Sequence, residues 1–213
     1  DFDLAPGAVY EVEVEVAIPE LGEGAYALSL RTDRFSDVYE GGREGDNVVA
    51  SAPIDLRHPN LTVGAPEIVG GADGLQSGAE ITARWRVTNA GAGDAATGWT
   101  DELWLSRDGA LDASDVLLGT VESGADIPFA AGETREESLT VGLPLALSGA
   151  WNLLARVDAA DDVAEPGAED DNVAATPLQI ALAPYADLEA TALVAPALTV
   201  DDPAQVTFSW TVE

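Results

Sequence analysis

Oxygen-bearing side chains crowd two stretches of this sequence, "DAADDVAEPGAEDDN" at 158–172 and "DRFSDVYEGGREGDN" at 33–47. Asp158, Asp162, Glu165, Glu169, Asp171 and Asn172 fall within the first, and Asp33, Asp37, Glu40, Asp46 and Asn47 within the second. Such groups suit two kinds of chemistry. A hard cation such as Ca²⁺ takes about six to eight oxygens from a folded-back loop of this kind. Asp and Asn also accept the backbone N–H groups of their own turns, which needs no metal. A third cluster, Asp108, Asp112 and Asp115 in "SRDGALDASDVLLG", brackets a turn. It lacks the spacing of an EF-hand, because Ala110 and Ala113 stand where that loop wants an acceptor and a glycine. Calcium is the cofactor these loops would take.

Nucleophilic and acid–base catalysis find little to work with. His58, in the segment "RHP", is the one histidine and cysteine is absent. A Ser-His-Asp or Cys-His arrangement would therefore have to be built on a linker residue, and no "GxSxG" elbow is present. With 39 acidic residues some carboxylate pair always looks like a glycosidase couple, so pairing carries no information. "GGADGLQSG" at 70–78 fits neither a phosphate-binding nor a dinucleotide loop. The segment is read as non-enzymatic.

The nine basic residues are all arginine, and the formal charge is −30. Such a field repels nucleic acid and anionic membranes and favours cations, basic partners or simple solubility. No apolar run is long enough to insert in a membrane as a helix. Residue 1 opens on "DFDLAPG", without Met or a signal-peptide pattern, so the chain reads as a piece of something longer. Trp99 and Trp104, in "WTDELWLS", lie five residues apart and so face opposite sides of one strand. One of them is a candidate sugar-stacking platform or a packing residue under a loop. "NLT" at Asn60 matches a glycosylation sequon.

The elements that must hold these groups are strands. Alternation of period two dominates. In "VYEVEVEVAI" at 9–18, Tyr10, Val12, Val14 and Val16 point one way and three glutamates the other. "AEITARWRVTN" at 79–89 and "AWNLLARVD" at 150–158 repeat the pattern, with Trp85 and Trp151 facing inward to supply the central mass. Strands are expected near 60–69, 79–89, 99–106, 114–121, 133–142, 150–159 and 171–182.

A shift of 125 residues superposes Val16 on Val141, Asp33 on Asp158, Glu40 on Glu165, Asp46-Asn47-Val48 on Asp171-Asn172-Val173, and Trp85 on Trp210. The expected fold is all-β: tandem immunoglobulin-like, fibronectin III-like antiparallel β-sandwich repeats. Residues 1–58 form the C-terminal part of one repeat, 59–183 a complete repeat and 184–213 the N-terminal part of a third. The joints "LRHPNL" and "LAPYADL" are short and lack Gly/Ser-rich stretches, which predicts a semi-rigid, extended array. The partial repeats should expose apolar sheet faces that more chain, or other chains, must cover.

"RWRVTNAGAGDAATGWTDELWLSRDGALDASDVLLG" at 84–119 and "LPLALSGAWNLLARVDAADDVAEPGAEDDNVA" at 143–174 resemble CARDB, the cell-adhesion-related domain found in bacteria, over residues 60–182. The family's "E.NN" reads here Glu169-Asp170-Asp171-Asn172, so Asp replaces its first Asn. The resemblance implies an immunoglobulin-like sandwich used in tandem as a spacer and interaction module of large extracellular or surface-attached proteins. Its partners would be neighbouring repeats, like chains, or an extracellular protein or glycan. Two other roles fit the same residues: an accessory domain of a secreted hydrolase that binds through Trp104 or Trp99, and a filament subunit completed by strand addition.

Overall fold

The computed structural model describes residues 7–19, 21–123, 128–197 and 205–213. In chain order the strands are β1 (Gly24–Tyr26), β2 (Ser29–Arg31), β3 (Val48–Ala50), β4 (Ile54–Leu56), β5 (Leu61–Val63), β6 (Glu67–Ile68), β7 (Glu80–Asn89), β8 (Trp99–Ser106), β9 (Val116–Ser123), β10 (Thr134–Gly142), β11 (Gly149–Arg156), β12 (Val173–Ile180), β13 (Ala190–Val194) and β14 (Ser209–Val212). No helix among the described residues is long and apolar enough to cross a membrane.

β5 to β12 make a two-layer antiparallel sandwich. One sheet has the order β10-β7-β5, with β6 also on β7, and the other β12-β11-β8-β9. Alternation decides which residues meet between the layers. Ile81, Ala83, Trp85 and Val87 of β7 face Trp99, Leu103 and Leu105 of β8 and Trp151, Leu153 and Ala155 of β11, all buried. Trp99 joins Trp85 and Trp151 in this core, with its ring centroid 5.4 Å from that of Phe129. The first expected strand is broken in two. Gly64, Ala65 and Pro66 interrupt it, and proline removes a ladder donor.

The flanking segments are built differently. β1 pairs β4 and β2 pairs β3, while β13 pairs β14. These two-stranded ribbons leave Leu28, Leu30, Val49, Val194 and Trp210 exposed. Residues 9–18, expected as a strand with a buried face, carry no strand, and Val12 and Val14 are each 70% exposed. The correction has a physical reason: alternation prepares a strand to be buried, but only a partner strand and a facing layer bury it.

Candidate functional site

The acidic connection 158–172 is built from the end of β11 forward. Asp158 adopts the left-handed conformation (φ 48°), as does Asp161 (φ 55°), a region Asp enters more readily than most residues because its short side chain bonds locally. Oδ1 of Asp158 accepts the N–H of Asp162 at 2.9 Å and Oδ2 that of Val163 at 3.0 Å. Burial pushes the Asp158 carboxyl up, the two amides act against it, and the neighbouring carboxylates Asp162 and Asp161 add to the rise.

Glu165 is 1% exposed. One of its oxygens accepts the Asn172 carboxamide N–H at 3.1 Å, and the other accepts the backbone N–H of Leu61 at the start of β5. Asp171 Oδ2 takes a donor from Asn60 Nδ2 at 3.3 Å. The loop thus closes on itself and grips the first strand of the sandwich.

The earlier connection repeats the geometry 125 residues before. Asp33 has φ 42° and accepts Asp37 N at 2.8 Å and Val38 N at 3.2 Å, while Asn47 Nδ2 donates to Glu40 at 2.9 Å. A short 3₁₀ turn leads into the next strand in both, Glu44–Asp46 before β3 and Glu169–Asp171 before β12. The Asp46 amide bonds to the Arg43 carbonyl at 3.4 Å. The Glu169 side chain lies outside the described residues.

The third cluster is a pair of Asx-type turns. Asp108 accepts Ala110 N at 3.0 Å, Asp112 accepts Ser114 N at 2.7 Å, and Asp115 accepts Asp112 N at 2.9 Å. The Ser114 hydroxyl and amide hold the Asp112 carboxyl below its ordinary value.

The expected ligands therefore sit in three separate loops. The structure brings Asp158, Glu165, Asp171 and Asn172 into one loop network, and Asp33, Glu40 and Asn47 into another. Asp37 and Asp162 enter these networks through their backbone amides. Among the described residues no three His, Asp or Glu side chains gather as a metal centre would need. The buried oxygens of Asp158 and Glu165 face N–H donors, and an N–H donor pointing at a cation repels it, so this donor set does not fit calcium as folded.

Both joints are tied down. His58 donates its backbone N–H to Glu23 at 3.1 Å, and its Nε2 lies 2.7 Å from the Leu21 carbonyl. Its own carbonyl accepts Gly93 N at 2.8 Å, and the Asn60 carbonyl accepts Ala90 N at 2.6 Å. A Cβ on Gly91 would lie 2.4 Å from Asn60 N, so only glycine allows the linker this close. At the other joint the Tyr185 hydroxyl sits 2.7 Å from the Ser77 hydroxyl and accepts Ala146 N at 2.9 Å. Ser77 Oγ also accepts Ala183 N at 3.0 Å.

Of the two tryptophans, Trp99 is 1% exposed, which removes it as a sugar platform. Trp104 is half-buried on the opposite face and donates to Glu102 at 2.8 Å. The sequon residue Asn60 is engaged by Asp171.

Sequence reasoning missed Asp101. It is fully buried, and Oδ2 accepts Trp85 Nε1 at 2.9 Å. Its Oδ1, the Trp99 indole N–H and the Ser123 hydroxyl are all buried without a hydrogen bond of good geometry. Burial raises its pKa to about 6; Trp85 opposes the rise, Glu137 adds to it, and Ser123 and Trp99 favour the charged form. The signal that could have found it is parity, because Asp101 shares the inward face of β8 with Trp99, Leu103 and Leu105.

No protein-family model matches the chain. No curated protein matches it either. Solved structures do. The CARDB domain of a Pyrococcus furiosus protein, crystallised in complex with di-metal ions, is 16% identical, with a TM-score of 0.44, over 60% of this chain and 98% of that domain. A solution NMR structure of that CARDB domain is 20% identical over 60% of this chain and 100% of the domain, with a TM-score of 0.41. A β-glucosidase of intestinal bacteria is 15% identical, with a TM-score of 0.39, over 63% of this chain; the match spans 19% of that enzyme.

Proposed function

We propose that this chain is a non-enzymatic spacer and interaction segment of an extracellular or surface-attached protein, in which successive sandwich repeats are held at restricted angles. The observation that carries the reading is the first joint, which is bonded on both its sides; at the second, the linker is held to the sandwich. His58 is bonded on one side to Leu21 and Glu23 and on the other to Gly93. Tyr185 is bonded to Ser77 and Ala146. A linker held by several hydrogen bonds transmits orientation, whereas a Gly/Ser linker would not. The polar side chains that looked chemical are spent on the same task, holding turns and strand ends. The motif resemblance to CARDB adds the cell-surface setting.

Calcium stiffening, the other reading of the acidic loops, would require Asp158 and Glu165 to release the amides they hold. It remains an addition to the spacer role and not a condition of it.

Small-angle scattering tests the joints. The chain should give an elongated particle of narrow shape distribution, and Tyr185→Phe, which keeps the ring but removes the shared hydroxyl, should broaden that distribution. A broad, freely hinged ensemble for the unaltered chain would contradict the reading.

A further inference from the structure

Asp101 stands where the complete sandwich accepts a charge badly. It is 0% exposed on the inward face of β8, and a carboxylate taken out of water is costly unless a cation or several donors meet it. β7 offers it the Trp85 indole N–H and β9 the Ser123 hydroxyl, neither of them charged. β11 faces the same interior with Trp151, Leu153 and Ala155. The charge that acts on Asp101 comes from β10 and is another carboxylate, Glu137. Arg135, two residues along that strand, lowers the Glu137 carboxyl that burial raises. Its guanidinium pairs with Glu133 at 3.0 Å and lies 4.5 Å from the Phe129 ring centroid.

β9 and β10 are edge strands, β9 bonded to β8 alone and β10 to β7 alone, and they close one flank of the sandwich against each other. One end of this flank is tight. A Cβ on Gly119 would lie 2.9 Å from Leu139 Cδ2 and 3.4 Å from Val141 Cγ1, so glycine is what lets the two strands meet there. Toward the other end the inward positions become Val121 and Ser123 on β9 and Glu137 and Arg135 on β10. Asp101 sits opposite Val121 in register, and Glu137 opposite Trp85. Glu137 is half-buried, so it touches solvent on one side and acts on Asp101 on the other. The way for water to the buried carboxyl therefore runs past Glu137, between β9 and β10.

We propose that this flank is a proton-gated seam: with Asp101 neutral the two edge strands stay closed, and its ionisation favours an opened state in which water reaches the carboxylate past Glu137. The seam is a property of the complete sandwich and does not depend on the spacer reading. Asp101 binds its proton at about 6 in the closed sandwich against 3.8 in water, so closure is favoured most below the lower value. Opening rises between the two by up to roughly 100-fold and levels off above pH ~6. Two strands each bonded along a single side can open in this way without unfolding the rest.

Hydrogen exchange of the whole chain tests the seam, read amide by amide at pH 5 and pH 7 at constant ionic strength and corrected for the intrinsic rates. Amides of β9 and β10 should exchange ahead of those of β11 and β12, and their opening should rise roughly 10-fold between the two pH values. Asp101→Asn keeps an acceptor for Trp85 and cannot ionise, so it should remove most of that rise. Glu137→Gln removes the repulsion that favours the neutral acid, so the rise should shrink. That substitution falls at a partly solvated position and carries the test if Asp101→Asn does not fold. Exchange of β9 and β10 in step with β11 and β12, or a rise undiminished in either variant that folds, would overturn the proposal.

Discussion

Asp101 is a buried carboxyl whose protonation bears directly on the fold. Desolvation raises its pKa to about 6 from an ordinary value of 3.8, so the folded state binds the proton more tightly than the unfolded chain. Its favourable contribution is fully present below pH ~4 and is lost as pH rises through about 6. The sandwich should therefore lose stability across that window, by up to about 3 kcal/mol from this group. Acidification also relieves the −30 charge, so the comparison that isolates Asp101 is Asp101→Asn. This variant keeps an acceptor for Trp85 and cannot ionise. In urea titrations it should be more stable than the parent at pH 7 and about equal at pH 4; an unchanged pH profile would refute the assignment. Asp101 was legible only through its inward parity on β8, because acids are so abundant here that one more draws no notice. Trp99 shows the complementary case: spacing put it opposite Trp104, but only the packed Phe129 ring shows which of the two is interior.

At the scale of elements, the acidic loops are staples whose value depends on what they reach. Glu165 holds Leu61 N–H, a partner 104 residues away in sequence, and Asn172. Glu165→Ala would leave buried donors without acceptors, each costing about 1–3 kcal/mol. Its urea midpoint should fall with an unchanged slope. Glu40→Ala, in the matching but exposed loop, should leave the main transition where it is. Equal effects at both sites would show that local turn closure, and not the grip on β5, carries the stability. Most strands were legible because alternation and turn residues are local signals: β8 runs over 99–106 as expected. The reach of Glu165 to β5 was not, since nothing near either residue in sequence encodes it. Residues 9–18 mark the opposite limit, where a flawless pattern forms no strand for want of a neighbour.

For the molecule as a whole, a closed sandwich, docked linkers and a strongly acidic surface suit the spacer role proposed above. The periodicity that organises it was visible in sequence, and so were the acceptors that recur with it. What those acceptors bind was not, because an Asp facing a backbone amide and an Asp facing a cation use the same residue types at the same spacing. The central claim is that the acidic loops serve the fold through their own amides. Its most direct test is a thermal melt of the whole chain in EDTA, in millimolar CaCl₂, in MgCl₂ and in NaCl of matched ionic strength. The account predicts equal stabilisation by all three salts relative to EDTA, from screening of the −30 charge; a rise specific to Ca²⁺ at millimolar concentration would contradict it.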